Sequence, residues 1–181
     1  MNQLHPAKTV QVYLPSGEAT GLRRAAVTTS TLAVYDVPRA RLPEFMLQPE
    51  ADQPALLIWL AEDSRGDVTR LKVVASARSD DRWRTETCID HGWCRALVVV
   101  NATDGFTEAH FGHLSRLLSE RVASLFRGEA ECRNDHCEGL APAWLKTECD
   151  EALTSIELAI ETLGFRFLRA SRKRAPDLLL M

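Results

Sequence analysis

Apolar positions in this chain fall into two rhythms, one of strands and one of helices. The uninterrupted run Leu97-Val98-Val99-Val100 reads as a strand buried on both faces. A polar connector, Asn101-Ala102-Thr103-Asp104-Gly105, has the turn chemistry of a strand-to-helix junction. Thr107 suits the N-cap of the helix that follows, and Glu108 suits its first turn, where a negative charge complements the helix dipole. Phe111, Leu114, Leu117, Leu118, Val122 and Leu125 then recur at helical spacing and predict one apolar stripe laid on a sheet, with Ser115 on its polar edge.

Upstream, residues 9–14 alternate as a strand, Pro15-Ser16-Gly17 turns the chain, and 22–28 and 31–37 read as two further short strands. A short helix starts near Arg39 and stops before Pro49, and the polar, Pro-bounded segment 48–54 marks an internal boundary. Residues 55–60 form a buried strand and 71–75 its hairpin partner, across a turn at 62–67. Residues 80–87 suit a short arginine-rich helix. After a loop holding Gly128, Gly139 and Pro142, a helix over 148–163 buries Ala152, Ile156, Ala159, Ile160 and Leu163 and ends at Gly164. Residues 165–168 read as one more edge strand. The pattern predicts an α/β (α+β) protein: a β-rich extension over 1–50, a main domain over 51–168 with a small antiparallel sheet flanked by helices, and a basic, then apolar tail over 169–181.

Composition narrows the classes. The chain has 181 residues, enough for one domain with a real core. A formal net charge of −3 gives no global basic field, so any nucleic-acid contact needs a local patch. The apolar runs are too short to span a bilayer and the first residues lack a signal-peptide pattern, so the expectation is a cytoplasmic protein with no membrane partner. Five cysteines then read as reduced thiols.

Several segments together carry a family resemblance. They are Val12-Tyr13-Leu14-Pro15-Ser16-Gly17, Val37-Pro38-Arg39-Ala40-Arg41-Leu42, Val99-Val100-Asn101-Ala102-Thr103-Asp104 with Thr107-Glu108-Ala109-His110, and Leu163-Gly164-Phe165. With the order strand, hairpin, strand, arginine-bearing helix, strand, helix, the chain resembles the GIY-YIG nucleases, most closely bacterial members with an extra N-terminal β segment. The resemblance implies a metal-dependent phosphodiesterase frame. Two strand tyrosines would handle the attacking water and its proton, an arginine would steady the phosphate, and a helix glutamate would hold a divalent metal such as Mg²⁺.

Position by position, this chain departs from that pattern. The first triplet falls on Ala55-Leu56-Leu57, so leucine replaces tyrosine; the second falls on Lys72-Val73-Val74, so lysine replaces tyrosine. The arginine is retained as Arg82, and the metal-binding glutamate falls on Ser115. Glu108 stands about 10 Å earlier along the helix axis and Glu120 points about 140° away, so neither replaces a ligand at 115. The resemblance therefore implies a catalytically degenerate nuclease relative that binds nucleic acid or assembles with a partner through Arg78, Arg82, Trp83 and Arg84. The alternatives are an active metal-dependent endonuclease using substitute residues, and a purely protein-binding module.

Other chemistry has a plainer counterpart each time. Arg78, Arg82 and Arg84 form a phosphate grip or a solvated helix face, and Lys72 is a substitute base only if strongly desolvated. Cys88, His91 and Cys94 have spacing open to a structural zinc, against packing as small apolar groups. Cys132, His136 and Cys137 form a second small cluster, and His110 and His113 share the helix of Ser115. Trp83 and Trp93 are read as edging the arginine face, Trp59 as core. The tail, with Arg169, Arg172, Lys173 and Arg174 before Leu178-Leu179-Leu180-Met181, is read as docking on a partner or a second copy.

Overall fold

A computed structural model describes residues 7–76, 92–103, 105–133 and 141–168. The described elements are β1 (Val10–Tyr13), β2 (Arg23–Val27), β3 (Leu32–Pro38), α1 (Leu42–Phe45), β4 (Ala55–Glu62), β5 (Val68–Ser76), β6 (Arg95–Asn101), α2 (Glu108–Leu125), β7 (Glu129–Arg133) and α3 (Ala143–Thr162), with 3₁₀ turns at Arg39–Arg41 and Pro49–Asp52. All seven strands join one sheet in the order β1-β2-β3-β6-β4-β5-β7. Every pairing is antiparallel except β5 with β7, which is parallel. The protein is thus α+β with a mostly antiparallel sheet.

The sheet is wider than the sequence pattern predicts, for two reasons. The strands of the first fifty residues do not stop at their own meander: β3 pairs with β6 along its whole length, from Leu32 opposite Asn101 to Pro38 opposite Arg95. Downstream, 129–133 forms β7 where the sequence reads as loop. Its Glu-Ala-Glu-Cys-Arg run lacks the β-branched residues that signal a strand, and β5 recruits it as an edge. Gly128 makes that possible, since a Cβ there would stand 2.3 Å from the Thr69 carbonyl oxygen.

Alternation splits the central strands between two cores. Leu56, Ile58 and Leu60 of β4 and Leu97 and Val99 of β6 face a core that also holds Phe111, Leu114, Leu118 and Val122 of α2 and Ile156, Ala159 and Ile160 of α3. Leu57, Trp59, Val98 and Val100 face the opposite core, with Tyr35, Phe45 and Trp93. Both faces of β3, β4 and β6 are therefore buried, as an unbroken apolar run requires. Burying each such large apolar side chain stabilises the fold by about 1.5–3 kcal/mol before the entropy of ordering it.

The helix ends explain the element bounds. Thr107 caps α2 in a reciprocal box whose fourth member is His110 rather than the usual Glu or Gln. The last helix begins a turn or more before the expected 148, after Pro142, whose fixed φ suits a helix entry. At its end Gly164 takes φ +103°, with Gly164 N–H donating to the Glu161 carbonyl and Phe165 N–H to that of Ile160, a Schellman closure. The chain after it is not the expected strand: Phe165, Phe167 and Leu168 fold down onto the helix-side core as irregular backbone. The expected arginine-rich helix at 80–87 lies outside the described residues.

Candidate functional site

The hairpin β4–β5 carries the first two positions singled out by the resemblance. Leu57 pairs with Val74, and Trp59 with Lys72, so Leu57 and Lys72 lie on the face away from α2 and α3. Leu57 has no exposed surface. Lys72 is mostly buried rather than solvated, with 14% of its side chain exposed and its Nζ 3.6 Å from Glu131 across the β5–β7 pair. It serves as a cross-strand partner in a half-buried row.

Ser115 sits elsewhere. It belongs to α2, on the opposite side of the sheet from Lys72, and is 1% exposed. It does not stand on the polar edge of the helix, as its serine character suggested. Its carbonyl accepts a 2.6 Å bond from the Ser119 hydroxyl, while its own Oγ is buried with no hydrogen-bond partner. The divalent metal that the resemblance implies would need a carboxylate here, and a single buried neutral hydroxyl does not fit that ion. The sheet also separates this position from Lys72. Of the two carboxylates weighed on this helix, Glu120 is paired with Arg116.

Arg78, Arg82, Trp83, Arg84, Cys88 and His91 lie outside the described residues, as do His136, Cys137 and the tail from Arg169. Of the proposed zinc trio only Cys94 is described; its Sγ lies 3.5 Å from the Leu60 carbonyl oxygen, and burial, followed by the nearby Glu62, pushes its thiol pKa up. Among the described residues no group of three or more His, Cys, Asp or Glu is arranged to hold a metal ion. Trp93 is 5% exposed and meets Trp59 edge to face at 4.7 Å, with the Arg39 guanidinium 5.1 Å over its ring. Both indoles are buried, and both line the cleft that Arg70 and Lys72 share; the arginine face that Trp93 was read as edging lies outside the described residues. The cleft beside them, between Lys72, Arg70, Glu129 and Glu131, holds about 90 Å³, well below the several hundred that a nucleotide-sized ligand fills.

Two polar constellations were not visible in the sequence. The first joins both long helices at their N-termini. The Thr107 N–H donates to His110 Nδ1 at 3.1 Å, Thr107 Oγ1 lies 2.9 Å from the same nitrogen, and His110 Nε2 lies 3.1 Å from Glu148. The order hydroxyl, imidazole, carboxylate looks like a nucleophile with its base. However, the Nδ1 lone pair a base would offer is already taken by a backbone N–H, so His110 is spent as a cap. The Thr-x-x-His spacing is the only sequence signal for it.

The second constellation surrounds Asp36, which has no exposed surface. Arg23 donates to its Oδ2 from Nε at 2.7 Å and from a terminal nitrogen at 2.5 Å, and Arg95 donates to both carboxylate oxygens at 2.7 and 2.9 Å. Arg23 also reaches the Leu163 carbonyl at the C-terminus of α3, where a cation meets the negative end of the helix dipole. Burial alone would lower the Arg95 pKa, but Asp36 and Glu62 more than offset it and leave it raised. These groups satisfy one another, so the cluster is a clamp and not an open site.

The chain therefore defines a class, an α+β protein whose long helices cover one face of a seven-stranded sheet. It matches no protein-family model, no curated protein and no solved structure. No helix among the described residues is long and apolar enough to cross a membrane.

Proposed function

We propose that this chain is a non-catalytic binding or assembly protein built on a nuclease-like frame of the GIY-YIG kind. The observation that carries the reading is the setting of Ser115, a core position where the family's metal ligand would stand. The antiparallel hairpin that bears Leu57 and Lys72, with α2 packed on the reverse face, supports the likeness of frame. The leucine at 57 and the separation of Lys72 from Ser115 by the sheet support the loss of chemistry.

Binding would fall to the face bearing Arg78, Arg82 and Arg84, with nucleic acid or a protein as its partner. One observation leans towards protein. Several basic side chains on the described surface are paired in place: Arg41 with Glu18 and Glu44, Arg116 with Glu120, and Arg121 with Glu157. A phosphate backbone needs uncommitted cations, and its affinity falls steeply with salt as counterions are released.

The test is cleavage of plasmid, single-stranded DNA and RNA with Mg²⁺ and with Mn²⁺, run beside Arg82→Ala, together with DNA affinity at two salt concentrations. The expected result is no cutting in any lane. Metal-dependent cutting that disappears in Arg82→Ala overturns the non-catalytic reading. Tight, salt-sensitive DNA binding that Arg82→Ala abolishes assigns the arginine face to nucleic acid instead of protein.

A further inference from the structure

The two edges of the sheet are built differently. β7 carries Glu129 and Glu131, and charge on an edge strand discourages another strand from pairing there. β1 reads Val-Gln-Val-Tyr, with no charge, no proline and no bulge in its register with β2. No described strand pairs with its outer side. Of the four exposed large hydrophobic residues among those described, two belong to β1: Val12, 45% exposed, and Tyr13, 60% exposed.

The hydrogen-bond parity of β1 follows from its contact with β2. Thr28 N–H donates to the Thr9 carbonyl at 3.0 Å, which makes Thr9–Thr28 a bonded pair. By alternation Gln11–Ala26 and Tyr13–Arg24 are bonded pairs too, and the N–H and C=O groups of Val10 and Val12 point outward. The same residues carry an apolar row. Val12 lies opposite Ala25, which faces the helix-side core, so Val10, Val12 and Leu14 extend that face beyond the helices. Val10 still packs against the core, whereas Val12 lies past its edge.

We propose that β1 is a self-association edge, pairing antiparallel with β1 of a second copy about a two-fold axis at Val12. In this register the two Val12 residues exchange backbone hydrogen bonds, Val10 faces Leu14 of the other copy, and Gln11 faces Tyr13. A two-fold axis sets identical groups against one another, so a strand that bears charge resists it and an uncharged one does not. This is why the occupant is a second copy and why β7 cannot serve in the same way. The pairing continues the sheet across the dimer and covers the exposed row of valines.

The test uses the full chain in sedimentation velocity over a dilution series up to roughly 0.5 mM, the range in which a short strand pairing is populated. A reversible monomer–dimer equilibrium is expected. Val12→Lys, which places two ammonium groups at the axis, should weaken it at least about tenfold, while Glu131→Lys on the other edge leaves it unchanged. Circular dichroism confirms that the exposed substitutions keep the fold. In parallel, Val12→Cys should cross-link to itself under mild oxidation, mapped by mass spectrometry to that position, because antiparallel partners bring Cα atoms within disulfide range. A monomer at every concentration, a dimer indifferent to Val12→Lys, or a dimer in which Val12→Cys never links to itself each overturns the proposal, as does an edge that accepts only a foreign extended peptide.

Discussion

Replacing Asp36 tests whether the polar clamp under the end of α3 is a structural keystone. The carboxylate is fully enclosed and accepts four short contacts from two arginines, whose side chains keep 24% and 22% of their surface in water. Hydrogen bonds to charged groups contribute about 1.5–3 kcal/mol each, so a simple sum over four would exceed the whole stability of many domains. The sum overshoots because both arginines can turn their partly exposed heads to solvent once Asp36 is gone. Removing one partner of a buried ion pair typically costs about 3–5 kcal/mol, and that residual exposure places Asp36→Asn near 3. Urea unfolding followed by circular dichroism should show this loss with an unchanged slope, and the thermal midpoint should fall by about 6–12 °C for a chain of this size. Converting all three residues at once, Asp36→Leu with Arg23→Met and Arg95→Met, should recover part of the loss, since the enclosed position no longer holds a charge, while Glu62 gives up its contact with Arg95. A cost for Asp36→Asn below about 1 kcal/mol would refute the assignment of this cluster as a clamp.

Three further outcomes follow from buried groups. Ser115→Ala removes an unpartnered buried hydroxyl and should be neutral or stabilising by about 1 kcal/mol, whereas Ser115→Glu should cost about 3 kcal/mol or more, with no recovery of the melting temperature in Mg²⁺; a Mg²⁺-dependent rise would reopen the metal site. Burial, helped by Arg116, holds the His113 pKa below its ordinary value, so the folded state binds its proton less readily than the unfolded chain. Its contribution is present above the unfolded pKa of about 6.5 and declines as pH falls through and below it, and His113→Gln should flatten the fall in melting temperature between about pH 6.5 and 5. Burial, followed by Glu50, pushes the Tyr35 phenol up to about 12. Its contribution is therefore complete below pH 10 and is lost as pH rises from there towards 12; in spectrophotometric titration Tyr35→Phe should remove the later-ionising tyrosine, and an unchanged curve would contradict this burial.

Many of the individual strands and helices are legible in the sequence, though not the sheet that joins them, and the reasons are local. The strand at 97–100, the helix opened by Thr107 and the stop at Gly164 each depend on neighbours within one turn or one strand. What escaped depends on pairing across the chain. β7 is a strand because β5 offers it an edge, and nothing in Glu-Ala-Glu-Cys-Arg announces that. Phe165 to Leu168 has the composition of a strand, but the Schellman turn aims it down onto the core, where burying three large side chains outweighs edge pairing. Asp36 lies within the strand expected at 31–37, and nothing near it in the chain marks its partners. Its arginines come from 13 positions before it and 59 after, a distance no local pattern spans.

Ser115 was misplaced for a different reason, because the information was present and its polarity overrode it. Phe111, Leu118 and Val122 lie four before, three after and seven after it, the intervals that bring side chains onto one helical face, and all are buried. Periodicity alone therefore sends position 115 beneath the sheet, whatever residue occupies it. A glutamate at this place in the described packing would carry its charge into a position that is 1% exposed. A carboxylate and a hydroxyl are therefore not equivalent occupants of this position. A serine can be tolerated in that core at the cost of one unsatisfied hydroxyl, whereas restoring the carboxylate would require the helix to rotate its stripe away from β4 and β5. On the reading proposed above, the packing of α2 as well as the residue at 115 argues against a metal ligand at that position.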